Sequence, residues 1–321
     1  MIAEYSAESA KSRKNMGIVV LGASFVDIKG YPLSKYIPGG RNRGRVLQVH
    51  GGVSRNVVED IANVGLSPTF VGVVDRSGIS TDVIDRLNKR GVNTDYIIRT
   101  DDGLGMWLAV FDNHGDVAAS ISKRPDLSPV SDILREYGEE IFAGADSIVV
   151  EIDMEEELLS DIFRLAEKYG KKVYAVVSNM SIAMERRFWL KKTDCIVCNQ
   201  MESAQLFSEE YTEMMQEELV RVLPGKVRKA EISRMIVTMG DRGAVYVDSD
   251  GTAGMIPAIS VNVIDTTGAG DAFFAGVAIG LTYGKKLSEA AMIGTRLASS
   301  VITTDENVCP SFRPSEFGID V

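Results

Sequence analysis

The sequence predicts an α/β protein: a mainly parallel sheet covered by helices, with a small β-sheet, termed the lid, inserted into it and standing apart. Three observations predict it. Short β-branched runs alternate with longer stretches of helical spacing, the pattern of strands buried on both faces and the helices that cover them. Two segments, 29–50 and 104–124, break that rhythm with turn residues and period-two alternation. The 321 residues suffice for one large α/β unit plus a small one, and 45% hydrophobic with 25% charged residues is the composition of a folded globular chain.

Taken in order, Gly17-Ile-Val-Val-Leu-Gly22 opens the fold as a buried strand. Val57, Ile61 and Val64 stand at helical spacing within 53–64, and Gly65 stops that helix. A strand at 69–74 and a helix at 82–90, ended by Gly91, complete a β–α–β rhythm. The stretch 28–50 holds Pro32, Pro38, Gly39, Gly40 and Gly44 and closes on an alternating, half-exposed strand at 45–50. Residues 106–111, a turn at 112–115 and residues 116–121 form a hairpin. Beyond Pro129 the predicted strands are 147–151, 172–177, 195–198, 235–238 and 243–247, with helices at 155–169, 201–207, 214–223, 271–281 and 288–303. The chain therefore divides into a large unit (16–28, 51–103 and 125–321), a lid (29–50 and 104–124) and a polar tail, 1–15, expected to be disordered.

Composition removes several functions. Lys and Arg total 35 against 45 Asp and Glu, a formal net charge of -10, which is opposite to the broad basic footprint of nucleic-acid and anionic-membrane binders. An anionic ligand would have to be attracted locally. Cys195, Cys198 and Cys309 are too few and odd in number for a disulfide framework and suit reduced thiols in the cytoplasm. Cys195-Ile-Val-Cys198 lies in a predicted strand, where residues three apart face opposite sides, so it is read as structural and not as a metal or redox pair. His50 and His114 have no companions for a zinc site. The longest apolar segment, 272–283, falls short of the roughly 20 residues needed to span a bilayer, and the polar start has no signal-peptide core.

The strongest local signal is Asp265-Thr-Thr-Gly-Ala-Gly-Asp271, leading into an apolar helix. Backbone N–H groups of Gly268, Ala269 and Gly270 can converge at the start of that helix, where unpaired donors and the helix dipole favour a phosphate. Asp271 in the first turn is a helix cap or a base. Other nucleotide signatures fail: Gly284-Lys-Lys286 lacks the upstream glycine and the hydroxyl residue of a P-loop, and Phe273 stands where a dinucleotide fingerprint needs glycine.

The stretch Asp265-Thr-Thr-Gly-Ala-Gly-Asp-Ala-Phe-Phe-Ala-Gly276 resembles the C-terminal signature of the ribokinase-like (PfkB-type) carbohydrate kinases, and Gly51-Gly52 with Asn56 resembles their N-terminal one. Asp27, Asn199-Gln-Met-Glu202 and Thr238-Met-Gly-Asp-Arg-Gly243 follow the same family order, so the likeness runs from about Met16 to Phe317. The resemblance implies a doubly wound, mainly parallel sheet with helices on both faces plus a small β-sheet lid, and ATP-dependent phosphorylation of a substrate hydroxyl, with nucleotide and substrate both held by the large unit. Asp271 would be the catalytic base, and Gly268, Ala269 and Gly270 the anion hole. Asn199 and Glu202 would organise Mg²⁺ through water, though the pair also suits a capping box. Thr238, Gly240 and Gly243 would line the nucleotide. Asp27, Gly51, Gly52, Arg55 and Asn56 would bind the sugar. In some relatives the positions of Asp265 and Thr267 contribute to a monovalent-cation (K⁺) site; a turn-stabilising role is the alternative here.

Gly51-Gly-Val-Ser-Arg-Asn56 is similar to the Gly-Gly-Val-x-Arg-Asn motif of pseudouridine kinases, with Arg55 the distinguishing residue. The first-choice activity is thus transfer of the γ-phosphate to the 5′-hydroxyl of pseudouridine, and the lid end Ser122-Lys-Arg-Pro-Asp126 is expected to contact the base. A kinase for a free sugar or another nucleoside is the alternative within the class, and a catalytically silent ligand-sensing relative the alternative outside it. Binding of acidic partners conflicts with the charge. The expected partner is a small molecule, with no nucleic acid or membrane, and the lid sheet, with Val46 and Val49 on its exposed face, is expected to pair two copies.

Overall fold

A computed structural model describes residues 15–114, 116–209, 211 and 213–320. Apart from Asn15, the tail expected over 1–15 lies outside the described residues, as do Gly115 of the hairpin turn and the final residue. The described strands are β1 (Gly17–Leu21), β2 (Phe25–Pro32), β3 (Gly44–Gly51), β4 (Thr69–Val74), β5 (Asn93–Arg99), β6 (Gly105–Phe111), β7 (Val117–Lys123), β8 (Ala145–Glu151), β9 (Val173–Val176), β10 (Cys195–Asn199), β11 (Met235–Thr238), β12 (Ala244–Val247) and β13 (Ala253–Ile256). The helices are α1 (Val53–Asn63), α2 (Gly78–Lys89), α3 (Val130–Gly144), α4 (Glu156–Lys168), α5 (Met180–Glu185), α6 (Arg187–Leu190), α7 (Gln200–Phe207), α8 (Gln216–Lys229), α9 (Ala269–Thr282) and α10 (Leu287–Val301).

Nine strands form the main sheet in the order β13-β12-β11-β10-β9-β8-β1-β4-β5. All neighbours pair in parallel except β11–β12 and β12–β13. The position of β1 between β8 and β4 explains the pattern of the first apolar run. Val19 and Leu21 enter the core shared with α3, α4 and α8, while Ile18 and Val20 enter the core shared with α1, α2, α9 and α10. Every residue of β1 is buried, as a strand covered on both faces requires. The two cysteines of the Cys195–Cys198 pair likewise enter opposite cores, and all three thiols are free and buried. Burial pushes the Cys195 thiol up to about 12, away from the reactive range.

The second sheet has the order β3-β2-β6-β7 and matches the two irregular stretches of the sequence. It begins at Phe25, so residues 25–28, assigned from the sequence to the large unit, belong to this sheet, and Asp27 stands on it. β2 was hidden because Asp27, Lys29, Gly30 and Pro32 weaken its strand propensity; pairing with β3 and β6 along both edges supplies what propensity does not. The sequence also missed β5, β13 and α3. Helix α2 starts before the expected residue because Ser77 caps it, accepting a hydrogen bond from the Ser80 N–H at 3.3 Å. Helix α8 continues through Pro224 to Lys229, past the expected stop at Leu223. Among the described residues no helix is long and apolar enough to cross a membrane.

Candidate active site

Strand order reverses at β1. The chain runs outward through β4 and β5 on one side and through β8 to β13 on the other, which leaves a crevice at the carboxyl ends of β1 and β8. Four segments meet there: the link from β1 into β2, the end of β8 at Glu151, the start of α1 after Gly52, and the start of α9 after Gly268. The small sheet approaches the same place, because Asp27, Gly51 and Arg124 lie on its strands or just beyond them.

Asp271 occupies the first turn of α9, and its Oδ2 accepts a hydrogen bond from Asn56 Nδ2 of α1 at 2.7 Å. Water still reaches part of its surface, but protein surrounds it. That desolvation pushes its carboxyl up to about 7 against the opposing pull of the Asn56 hydrogen bond and Arg55, with Glu151 and Asp27 adding repulsion. A carboxylate poised near neutral pH suits a general base. Oδ1 of Asn56 is buried with no hydrogen-bond partner among the described residues. Gly268 caps α9 at φ 82°, and a Cβ there would lie 2.0 Å from the Asn307 carbonyl oxygen. Only glycine fits. Gly270 faces open space, so the N-terminus of α9 is accessible to an anion.

On the other side of that turn lies a cavity of about 490 Å³, lined among others by Thr238, Gly240, Gly243, Ala269, Gly270 and Phe273. All three residues assigned from the sequence to a nucleotide wall are there. No local signal announces the rest of the wall, which comes from Ala258 to Val263 and from Thr295, Ala298, Ser299 and Ile302 on or beside α10. The first turn of α9 thus separates a largely apolar cavity from the space beneath the small sheet.

Asp27 reaches over the end of β3, where a Cβ on Gly51 would lie 2.8 Å from both carboxylate oxygens. Burial pushes its carboxyl upward, partly offset by Lys29 and Arg55. Gly52, the residue before α1, has φ 96° and touches the Ala23 to Phe25 backbone, with no room for a side chain. Asn199 and Glu202 do form the capping box, each side chain bonding the other's backbone N–H at 2.8 Å. Asn199 is the register partner of Thr238, so this pair stands at the sheet edge beside the cavity. Among the described residues no three His, Cys, Asp or Glu side chains form a metal cage. A magnesium ion carried by a nucleotide needs only one or two protein carboxylates, and Glu202 fits that role. Asp265 accepts hydrogen bonds from Thr267 N and Oγ1 at 2.9 and 2.8 Å, a turn-stabilising arrangement. Burial pushes its carboxyl up, but those bonds prevail and hold it below the usual range.

Arg55 departs from its expected role. It is 1% exposed, and its guanidinium bonds the carbonyls of His50 and Gly51, the Glu59 carboxylate and Asn307 Oδ1. It fixes the end of β3 and leaves no face for a substrate. At the lid end, Arg124 is drawn to Asp153 and Ser178, with Glu151 Oε1 3.6 Å away. All these contacts use Nη2; Nε and Nη1 bond no described residue. Lys123 pairs with Asp102. Glu151 itself was missed: one oxygen accepts from Ala23 N and Ser54 Oγ at 3.1 and 2.8 Å, tying β8, β1 and α1 together. The available signal was a carboxylate closing an apolar run at the carboxyl end of a parallel strand. Asn307, which donates to the His50 carbonyl at 2.6 Å, had no local signal.

A family model for pfkB family carbohydrate kinases matches residues 16–309. The chain belongs to the pfkB family of carbohydrate kinases. This pfkB-family kinase is 32% identical over 292 residues to the guanosine-inosine kinase of Exiguobacterium acetylicum, covering 90% of this chain and 95% of that protein. It is 24% identical over 290 residues to the pseudouridine kinase of Escherichia coli, covering 90% and 91%. Its fold is that of ribokinase-like proteins: Arabidopsis thaliana ribokinase, solved in complex with ribose and ATP, superposes with a TM-score of 0.76 at 19% identity, covering 91% of this chain and 95% of that one. The kinase is accordingly a phosphotransferase acting on a hydroxyl of a sugar or nucleoside.

Proposed function

We propose that this pfkB-family protein is an ATP-dependent nucleoside kinase that phosphorylates the 5′-hydroxyl of a ribonucleoside. The observation that carries this reading is Asp271, held by Asn56 between the cavity and the small sheet, with its carboxyl pushed up to about 7. ATP occupies the cavity with its phosphates at the N-terminus of α9. Asp271 takes the proton of the acceptor hydroxyl as that oxygen bonds the γ-phosphorus; the bond from the γ-phosphorus to the β–γ bridging oxygen breaks, and ADP leaves. The N–H groups at Gly268 to Gly270 receive the charge that develops on the phosphoryl oxygens. Glu202 is the carboxylate that would hold a nucleotide-bound Mg²⁺ through water, and the ion would supply charge neutralisation to the phosphates. Asp27 and Asn56 hold the ribose hydroxyls. An ATP-consuming reaction and reduced thiols suit the cytoplasm.

A nucleoside is favoured over a free sugar by Trp107. Half-exposed, it is the register partner of Asp27 and shares its face of the small sheet, so it offers a ring to a base attached at the ribose. The free Nε and Nη1 of Arg124 add donors suited to a base carbonyl, as when Arg reads O6 and N7 of guanine. Guanosine and inosine carry that carbonyl, in keeping with the 32% identity to a guanosine-inosine kinase. Pseudouridine, which also carries carbonyls, is second, because buried Arg55 no longer speaks for it. The test is incubation with ATP, Mg²⁺ and a panel of guanosine, inosine, pseudouridine, adenosine, ribose and fructose, read by mass spectrometry. A gain of one phosphate on guanosine or inosine is expected, with adenosine poor; turnover of ribose or fructose alone would refute the nucleoside reading.

A further inference from the structure

Lys29 is a cation on the inner face of the small sheet to which the reading above gives no part in the reaction. It lies two residues beyond Asp27 on β2, so both side chains leave the sheet on the same side. Its register partners are Leu47 and Ala109, as those of Asp27 are Val49 and Trp107. This is the inner side: Leu47 and Val49 are half-buried and Ala109 is buried, whereas Val46, Gln48 and Leu108 on the opposite side are exposed. Lys29 is only 6% exposed, yet its ammonium makes no hydrogen bond or ion pair with a described residue. Three N–H donors are thus left for solvent or a ligand to satisfy.

Its position says what kind of acceptor. The charge of Lys29 acts on Asp27 at the acceptor end of the site and on Asp265 at the start of the loop leading to Gly268. Lys29 thus stands beside the acceptor end of the site, its charge felt at the loop leading to Gly268, and the anion that passes between the two is the phosphoryl in transit. A neutral nucleoside brings no anion of its own. Resting on the nucleoside-kinase reading above, we infer that Lys29 is a catalytic residue that donates hydrogen bonds to the γ-phosphoryl oxygens of ATP from the small sheet, opposite the backbone donors of α9. An acidic chain thereby sets one cation where charge develops, as phosphoryl-transfer sites commonly do with Lys, Arg or Mg²⁺.

Lys29→Met keeps the buried aliphatic stem and removes the donors. With guanosine present, its affinity for a non-hydrolysable ATP analogue should fall about tenfold while ADP affinity is unchanged, because only the γ-phosphate is contacted. Its kcat should fall roughly 10²–10³-fold, the usual loss for one oxyanion donor, with the acceptor KM little changed. Lys29→Arg, which restores a charged donor, should recover the preference for the triphosphate, and it carries the test if the Met variant does not fold: an Arg variant that binds ADP and the analogue equally would overturn the inference. An analogue affinity in the Met variant unchanged from the parent, with kcat within threefold of the parent, would also overturn it. So would a rise in acceptor KM alone, which would assign Lys29 to the nucleoside. Failure of the parent protein to bind ADP at all would refute the kinase reading itself, and this inference with it, and that result is distinct from the others.

Discussion

In the proposed reaction Asp271 carries the chemistry because its surroundings make it a reluctant carboxylate. Burial raises its pKa, and the hydrogen bond from Asn56 orients the oxygen that must accept a proton. Activity should therefore rise with pH through a limb near 7 in kcat/KM as Asp271 ionises; a profile flat from pH 5.5 to 8.5 would contradict that assignment. The same displacement has a thermodynamic cost. A carboxyl whose pKa is higher folded than unfolded destabilises the fold increasingly as pH rises from about 4 to about 7, because folding then disfavours the charge. Asp271→Asn should thus melt a few degrees (~2–6 °C) above the parent at pH 8, with the difference vanishing near pH 4. Differential scanning calorimetry at the two pH values reads this directly.

At the scale of elements, the junction of β3 with α1 depends on a buried ion pair. Glu59 is fully buried and holds Arg55 and Arg86, while Arg55 grips the carbonyls that end β3. Glu59→Ala leaves the Arg55 charge buried and unpaired, so it should cost about 3–5 kcal/mol in urea unfolding, far above an exposed-pair substitution. A loss below 1 kcal/mol would show that the pair is dispensable. Arg55 also marks where sequence reading stops. Its place in the Gly51-Gly-Val-Ser-Arg-Asn56 stretch was legible, but its direction was not, because the acceptors that turn it inward are backbone carbonyls and an asparagine 252 positions away. The geometry of the glycine turn before α9, by contrast, was legible, because the donors proposed for an anion there are backbone groups of consecutive residues. Strands such as β2 and β5, and the wall residues from α10, depend on partners far along the chain, and no local pattern announces them.

Over the whole molecule, the reversal of strand order at β1 creates the crevice, and the small sheet closes over it. In the proposed reaction the net charge of -10 is no obstacle, because attraction would come from a helix end, Lys29 and a nucleotide-borne Mg²⁺ instead of a basic surface. The outer face of the small sheet exposes Val46, Leu108 and Ile121, and its edge strands β3 and β7 are unpaired. Val49, expected beside Val46 on that face, pairs with Asp27 and points inward. Self-association through the outer face is the expected use of these apolar groups. Sedimentation velocity should then show a dimer that Ile121→Lys converts to a monomer; a monomeric parent protein would contradict this. The central claim concerns the reaction, and one comparison tests it most directly: single-turnover phosphoryl transfer to guanosine at pH 8 with saturating ATP and Mg²⁺, in the parent and in Asp271→Asn. The parent should form the 5′-phosphate, and the Asn variant should be slower by roughly 10²–10⁴ while binding ATP normally. A variant within tenfold of the parent would mean that Asp271 is not the base.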